Sequence, residues 1–398
     1  MMWGKALDKS LRQLIKEGQL HLHMPDGSVQ TYGPPDDSPV HLYLHDESLP
    51  RKILMNPDMA VGEAYMDGTL TIGNDDLHGF LGTVLRNRGA GHTSTALKLN
   101  AMLRQMIRHL QQYNPVGRAQ QNVAHHYDLS AQLYDLFLDE DRQYSCAYFR
   151  TPSDTLEQAQ AQKKEHIAKK LRIEPGMKVL DIGCGWGGMG LTLAREYGAQ
   201  VLGVTLSAEQ HKIATARAAE AGLADRVQFR LTDYRKVQGQ FDRIVSVGMF
   251  EHVGLPHYRE YFRHVRDFLT EDGIALIHTI GRSDPPGSTS PWVQKYIFPG
   301  GYAPAMSEVM KAVEKERLYA TDVEVWRLHY AYTLRHWYDR FTARQDEAAA
   351  LYDERFCRMW RYYLAASEMT FRLRQQVVFQ FQLTRQQDAV PLTRDYMA

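Results

Sequence analysis

The middle of the chain alternates between continuous apolar runs and amphipathic segments. From about residue 175, apolar runs occur at MKVLDIG, AQVLGVTLS, VQFRLTD, FDRIVSVG and GIALIHTIG, and segments such as GMGLTLAREYG and AEQHKIATARAAEAG between them have helical spacing. Strands that are apolar throughout are typical of a parallel sheet whose two faces are covered by helices. The pattern therefore predicts an α/β fold.

Shorter elements of mixed type precede this region. LDKSLRQLIKEG (7–18) has helical spacing, QLHLHMPDGSVQTYG (19–33) alternates about a Pro-Asp-Gly turn as a hairpin does, and HLYLHD (41–46) is another alternating run. We therefore expect a small α+β domain over residues 1–85, a basic linker and amphipathic helix over 86–120, and the catalytic domain over 121–398.

The linker region carries an unusual distribution of charge. The chain is neutral, with 47 basic and 47 acidic residues, yet no acidic residue lies between Asp76 and Asp128. Within this stretch, residues 97–113 place their apolar side chains along one helical face with basic residues around it. Such a helix can lie on an anionic membrane or pack on a neighbouring domain, and both interpretations remain open.

Composition narrows the class of protein. Of the 398 residues, 44% are hydrophobic and 24% charged, which excludes a disordered or fibrous chain. No apolar run approaches the roughly 20 residues that cross a bilayer, and the N-terminus lacks a secretory apolar core. The three cysteines, Cys146, Cys184 and Cys357, are too widely spaced to indicate a zinc site. The adjacent His125 and His126 would point apart on a helix and could not easily share one metal ion. We expect a cytoplasmic enzyme without a metal site.

A glycine-rich loop follows the first apolar strand. In DIGCGWGG, Asp181 stands before Gly183, Gly185 and Gly187, and such glycines let the backbone turn and approach a ligand. This spacing is similar to the loop of S-adenosylmethionine methyltransferases. A nicotinamide-dependent dehydrogenase would need an acid at the end of the second strand, which here ends GVTLS. The third strand ends at Asp233, where methyltransferases of this fold commonly hold an adenine-contacting acid.

Longer motifs extend the resemblance to one family. QYSCAYF, VLDIGCGWGG, GVTLSAEQ, FDRIVSVGMFEHVG, LIHTIG, WVQKYIFPGG and GEAYMDG are similar to motifs of cyclopropane-fatty-acyl-phospholipid synthases, of the mycolic acid and cyclopropane synthase family. The resemblance implies a Rossmann-like class I methyltransferase domain with a seven-stranded mixed sheet, and a lipid-carrier-like N-terminal domain. It also implies transfer of a methyl carbon to a cis double bond of a phospholipid acyl chain, with closure of a cyclopropane ring.

The resemblance assigns roles to individual residues. A bicarbonate ion, the base of the reaction in this family, would be held by five residues, namely Cys146, Glu251, His278, the backbone N–H of Ile280, and Tyr330. S-adenosylmethionine would contact nine others, with Tyr144 and Ser145 at its amino-acid end, Asp181, Gly183 and Gly185 in the glycine loop, Thr205 and Gln210 near its ribose, and Asp233 and Tyr234 flanking adenine. The chemistry agrees, because an isolated alkene needs a positioned methyl donor, a dry apolar channel and a weak base.

Other functions remain open. An enzyme of the same family could give a methyl-branched or methylene product without ring closure, and a non-catalytic lipid-binding protein is a candidate of a different class. A nucleic-acid methyltransferase is disfavoured because no NPPY-like or paired-cysteine motif is present. We expect a homodimer at the inner face of the membrane, with unsaturated phospholipids as partners and no nucleic acid.

Overall fold

The structure is a computed structural model that describes residues 2–89, 130–374 and 376–397. Residues 97–113, the adjacent histidines and most of the linker lie outside the described residues. The described residues form two compact units. The first comprises those within 1–108, 288–297 and 334–375, and the second those within 109–287, 298–333 and 376–398. The sequence-based domain limits, 1–85, 86–120 and 121–398, stay a prediction.

The described residues of both units include α-helices. They are α1 (Met2–Leu14), α2 (Leu49–Met55), α3 (Pro57–Met66), α4 (Leu77–Gly89), α5 (Ala131–Asp135), α6 (Leu156–Leu171), α7 (Gly188–Tyr197), α8 (Ala208–Glu220), α9 (Tyr258–Phe268), α10 (Pro291–Tyr296), α11 (Met306–Lys315), α12 (His329–Ala343), α13 (Gln345–Leu351) and α14 (Glu354–Leu373). Short 3-10 turns cover Gly73–Asp75, Tyr234–Lys236, Phe250–His252, Leu255–His257 and Asp395–Met397.

The strands of the first unit form a four-stranded sheet. They are β1 (Leu20–His23), β2 (Val29–Tyr32), β3 (Val40–Leu44) and β4 (Leu70–Ile72), in the order β2-β1-β3-β4. The hairpin expected around the Pro-Asp-Gly turn is present, because β1 and β2 pair antiparallel and the Met24 N–H donates to the Ser28 carbonyl at 2.9 Å. This unit is α+β.

The first helix departs from its predicted limits. The sequence predicts a helix over 7–18, whereas α1 begins at Met2 and ends at Leu14. The difference has a tertiary cause: the side-chain oxygen of Asn87, on α4, accepts the backbone N–H groups of Lys16 and Glu17 at 2.7 and 3.0 Å. Those two groups are satisfied outside the helix, and the chain turns away at Gly18.

The second unit contains a seven-stranded mixed sheet. Its strands are β5 (Lys178–Ile182), β6 (Gln200–Thr205), β7 (Val227–Leu231), β8 (Phe241–Val247), β9 (Leu269–Arg282), β10 (Tyr319–Trp326) and β11 (Gln376–Thr384). They run in the order β10-β11-β9-β8-β5-β6-β7, with β11 antiparallel to both neighbours and the other pairs parallel. Each of the five predicted apolar runs forms a strand, so the α/β prediction is confirmed.

Both faces of this sheet are covered, as the apolar strands require. Alternate residues of one strand face opposite layers, so Ile244 packs with α9 and α11 while Val245 packs with α6, α7 and α8. Both side chains are completely buried. The two layers hold the carboxyl ends of β5, β6 and β8 at one edge, where ligands bind in open α/β sheets.

Candidate cofactor and base sites

A cavity opens at the carboxyl ends of the parallel strands. The nine residues predicted to bind the cofactor all line it, namely Tyr144, Ser145, Asp181, Gly183, Gly185, Thr205, Gln210, Asp233 and Tyr234. They come from four separate segments of the second unit. The structure thus brings them to one cavity, while the part of a cofactor that each would touch stays a prediction.

The three glycines of the loop after β5 have different roles. Gly183, Gly185 and Gly187 all have positive φ angles, which side chains rarely adopt. A Cβ atom at Gly183 would lie 2.8 Å from Met249, and one at Gly187 would lie 2.6 Å from Phe229, so these two glycines allow close packing. A Cβ atom at Gly185 would meet nothing within 4 Å, because this glycine borders open space in the cavity.

Asp181 carries an oxygen that the described residues leave unsatisfied. Its side chain is buried, and Oδ2 has no hydrogen-bond partner among them. Burial raises the pKa of Asp181 to about 7, because a carboxylate is poorly stabilised away from water. A buried acceptor in a cavity wall fits a cationic or N–H-bearing ligand, and the ammonium group of S-adenosylmethionine is of that kind.

The other predicted cofactor residues form local pairs. The Thr205 hydroxyl donates to Oε1 of Gln210 at 2.9 Å, which fixes the amide beside the cavity. The Asp233 carboxylate accepts from Arg235 through Nε at 2.9 Å and Nη2 at 2.7 Å. These contacts hold polar side chains in one orientation, so the wall is ordered before any ligand arrives.

The five residues predicted to hold a base lie behind this wall. None of them lines the cavity, although their chain neighbours Ser145 and His252 do. Glu251 accepts the backbone N–H of Ile280 at 2.6 Å, and its second oxygen, Oε2, has no partner among the described residues. Burial raises the pKa of Glu251 to about 7, so its carboxyl group can gain or lose a proton near neutrality.

The Ile280 contact differs from the arrangement that the family resemblance implies. There this N–H would hold the bicarbonate ion, whereas here it donates to Glu251. The reason is that a buried carboxylate needs a donor, and the end of β9 supplies one. The role of Ile280 toward bicarbonate stays a prediction.

His278 is held as a neutral ring. It is buried on β9, and Nε2 of Gln380, on β11, lies 3.1 Å from its Nδ1. Because an amide nitrogen only donates, Nδ1 accepts and the ring proton resides on Nε2. Burial lowers the pKa of His278 well below its usual value, and nearby lysines lower it further. The ring is therefore a hydrogen-bond donor without charge.

Cys146 and Tyr330 are both buried, and Thr333 links their segments. The backbone N–H of Ala147, next to Cys146, donates to the Thr333 hydroxyl at 3.0 Å. Tyr330 precedes Thr333 by one helical turn on α12. Burial raises the pKa of Cys146, which keeps it a neutral thiol.

His252 and Lys163 are two of the polar residues near the cavity that the sequence reasoning missed. His252 lines the cavity directly after Glu251, and burial lowers its pKa to about 4; it lies within a quoted motif, which was a usable signal. Lys163, on α6, is completely buried and donates to Oε1 of Gln143 and Oγ of Ser145, each at 2.8 Å. No local signal marked Lys163, because its segment KKEHIAKK has the composition of an exposed helix.

The strand order, glycine loop and cavity define a class I S-adenosylmethionine-dependent methyltransferase. A family model described as mycolic acid cyclopropane synthetase matches residues 116–381, two thirds of the chain. The chain belongs to this family. Residues 6–90 match a second model, described as a domain of unknown function.

Curated relatives extend over most of the chain. It is 40% identical over 353 residues to a cyclopropane-fatty-acyl-phospholipid synthase of Escherichia coli, covering 86% of this chain and 88% of the relative. It is 35% identical over 393 residues to the tuberculostearic acid methyltransferase UfaA1 of Mycobacterium tuberculosis, covering 95% and 91%.

Solved structures share the class I methyltransferase fold. The cyclopropane synthase MmaA2 of Mycobacterium tuberculosis superposes with a TM-score of 0.64 at 31% identity, over 68% of this chain and 99% of that one. The mycolic acid cyclopropane synthase CmaA1, in complex with S-adenosylhomocysteine, gives 0.64 at 32% identity with the same coverage. Within the described residues, every helix is too short or too polar to cross a membrane.

Proposed function

We propose that this enzyme transfers the methyl carbon of S-adenosylmethionine to a cis double bond of a phospholipid acyl chain and closes a cyclopropane ring. The observation that carries the proposal is the position of Glu251, a buried carboxyl group with a pKa near neutrality directly behind the cofactor cavity. The similarity to the synthase of Escherichia coli over 86% of this chain supports the choice of substrate.

The reaction requires the loss of one proton. S-adenosylmethionine, when bound, supplies an electrophilic methyl group. The alkene carbon forms a bond to that carbon as the carbon–sulfur bond breaks, and ring closure from the cationic acyl chain releases a proton. Glu251 has an unsatisfied oxygen and a pKa near 7, so it can accept a proton or orient the group that does.

The side chains of the predicted base site have a chemistry that fits a bound bicarbonate ion. Bicarbonate, when present, would supply a weak base. The Cys146 thiol, Nε2–H of His278 and the Tyr330 hydroxyl are neutral donor types, which suit an anion, while Glu251 provides an acceptor. Neutral donors also avoid burying a second full charge beside the carboxylate. We propose that these side chains hold the ion.

We also propose that the protein works as a homodimer bound peripherally to the inner face of the membrane. The support is the phospholipid substrate of its relative and the acid-free stretch 77–127, whose later part lies outside the described residues. Basic residues near an anionic surface each contribute about 1 kcal/mol. Cosedimentation with phosphatidylglycerol vesicles but not phosphatidylcholine vesicles would support the contact, and sedimentation equilibrium would give the oligomeric state.

One specific observation favours a second product. The relative that covers 95% of this chain is named a tuberculostearic acid methyltransferase, so a methyl-branched or methylene product without a ring is the alternative. A lipid-binding protein without activity is the alternative of a different class.

Mass spectrometry of lipids decides among these. The pure protein is incubated with S-adenosylmethionine, bicarbonate and vesicles of cis-unsaturated phospholipid. We expect a product heavier by one CH2 group that resists mild hydrogenation, as a cyclopropane does. The same mass gain followed by reduction would indicate a methylene product, and no gain with the cofactor bound would indicate another substrate or a binding protein.

A further inference from the structure

Helix α6 buries three lysines, and one of them differs from the others. Lys164 pairs with Asp141 at 2.5 Å, and Lys170 pairs with Glu324. Lys163 is completely buried, yet among the described residues no carboxylate oxygen lies within 4.0 Å of its Nζ. A buried ammonium group without an anionic partner is costly, so its position calls for a reason.

The two hydrogen bonds of Lys163 point at the cofactor cavity. Its Nζ donates to Oγ of Ser145 and Oε1 of Gln143, each at 2.8 Å, and both of those residues line the cavity. Both acceptors are neutral and leave the charge uncompensated. Asp139 and Asp141 attract the ammonium group only from a longer distance.

These contacts determine what the wall can offer a ligand. Because the Ser145 oxygen accepts from an ammonium group, its own hydrogen is free to be donated elsewhere, with its acidity increased by the neighbouring charge. The Gln143 amide is fixed as well, since Oε1 faces Lys163 and Nε2 donates to Asp141 at 3.1 Å. This end of the cavity therefore presents a polarised donor with positive charge behind it, which suits a carboxylate.

We propose that Lys163 is a positioning residue that selects the carboxylate at the amino-acid end of the cofactor, acting through Ser145. The inference rests on the binding of S-adenosylmethionine in this cavity with that end toward Ser145. Lys163 does not itself touch the cofactor. It provides the charge, and Ser145 provides the contact.

The test compares two ligands that differ at that end. S-adenosylhomocysteine has the carboxylate, and 5′-methylthioadenosine lacks the whole amino-acid part. In calorimetric titration, K163M should bind S-adenosylhomocysteine about tenfold or more weakly, because a charge-assisted contact is lost. Its affinity for 5′-methylthioadenosine should change by less than about twofold. K170M is the matched control, because it removes another buried lysine of α6 and should leave the ratio of the two affinities unchanged.

Each other outcome contradicts the proposal. If K163M weakens both ligands equally, Lys163 only supports the fold, and if it weakens neither, its charge does not act on the ligand. If the unaltered protein binds neither ligand, the cofactor assignment itself fails, which is a separate result. Should K163M not fold, as judged by its near-ultraviolet circular dichroism, S145A removes the contact instead and must weaken S-adenosylhomocysteine selectively.

Discussion

The wall of the cofactor cavity differs in construction from the group of residues behind it, which is the predicted base site. The two are adjacent in the chain at Ser145 and Cys146 and at Glu251 and His252. The wall leaves polar groups open, as at Asp181, and keeps empty space at Gly185. The group behind it is buried and is held by contacts between distant segments, such as Glu251 with Ile280 and His278 with Gln380, and it leaves Oε2 of Glu251 open. The wall is built to receive a ligand, and the second group is built to keep proton chemistry away from water.

The largest effect should come from breaking the second group. We expect E251Q to reduce turnover by about a hundredfold or more, the size of a lost general base, while S-adenosylhomocysteine binds almost normally. The measurements are initial rates with vesicles and calorimetric titration. E308Q is the control, because Glu308 also accepts a backbone N–H, that of Ala305 at 3.0 Å, but belongs to the N-terminal capping box of α11 and not to the predicted base site. Activity that survives in E251Q would contradict the assignment of the base site.

The two kinds of loop glycine should separate stability from binding. G187A places a Cβ atom 2.6 Å from Phe229, so we expect a lower melting temperature, equivalent to about 2 kcal/mol. G185A meets no neighbour, so we expect a smaller loss of stability, about 1 kcal/mol of backbone strain, but roughly tenfold weaker cofactor binding. If G185A bound S-adenosylhomocysteine as tightly as the natural protein in calorimetric titration, the open space at Gly185 would have no role in binding.

Comparison of D181N with the natural protein should separate the pH-dependent stability due to Asp181 in the wall from that due to Glu251, whose pKa lies in the same range. Because burial raises the pKa of Asp181 from 3.8 to about 7, the free energy of unfolding falls as pH rises through this range, and the penalty is complete above it. Between pH 5 and 8, we expect the free energy of unfolding of D181N to fall by about 1–3 kcal/mol less than that of the natural protein, measured by urea unfolding. S-adenosylhomocysteine should reduce the same penalty, since its ammonium group stabilises the carboxylate. An unchanged slope in D181N would show that Asp181 does not titrate in this interval.

The smallest effect should come from the pair near the predicted ribose position. T205V keeps the shape of the side chain but removes its 2.9 Å hydrogen bond to Gln210 and the 3.2 Å hydrogen bond that it accepts from the Ser207 N–H. We expect about three- to tenfold weaker cofactor binding and an unchanged rate at saturation, because only neutral hydrogen bonds are lost. A lower saturated rate would mean that Thr205 also affects the chemical step.

The cofactor wall could be predicted because its residues lie in short contiguous loops. The sequence DIGCGWGG contains both the turn and the contact surface, so its spacing alone indicates a ligand site. The strands of the second unit could also be predicted from the sequence, since apolar runs such as FDRIVSVG indicate burial on both faces.

Lys163 and the end of α1 could not be predicted for a common reason. Each depends on a partner far along the chain: Lys163 on Ser145, and the N–H groups after α1 on Asn87. Helical periodicity places KKEHIAKK on a helix but does not say which lysines face inward. Burial of a charged side chain is decided by tertiary contacts that no local pattern encodes.

The place of β11 in the sheet has a consequence for the order of synthesis. This strand lies between β9 and β10 and supplies the amide that sets the proton of His278. A nascent chain on the ribosome therefore carries every residue of the cofactor wall well before it can complete the ring orientation behind that wall. Catalytic competence begins only after residues 376–384 have left the exit tunnel.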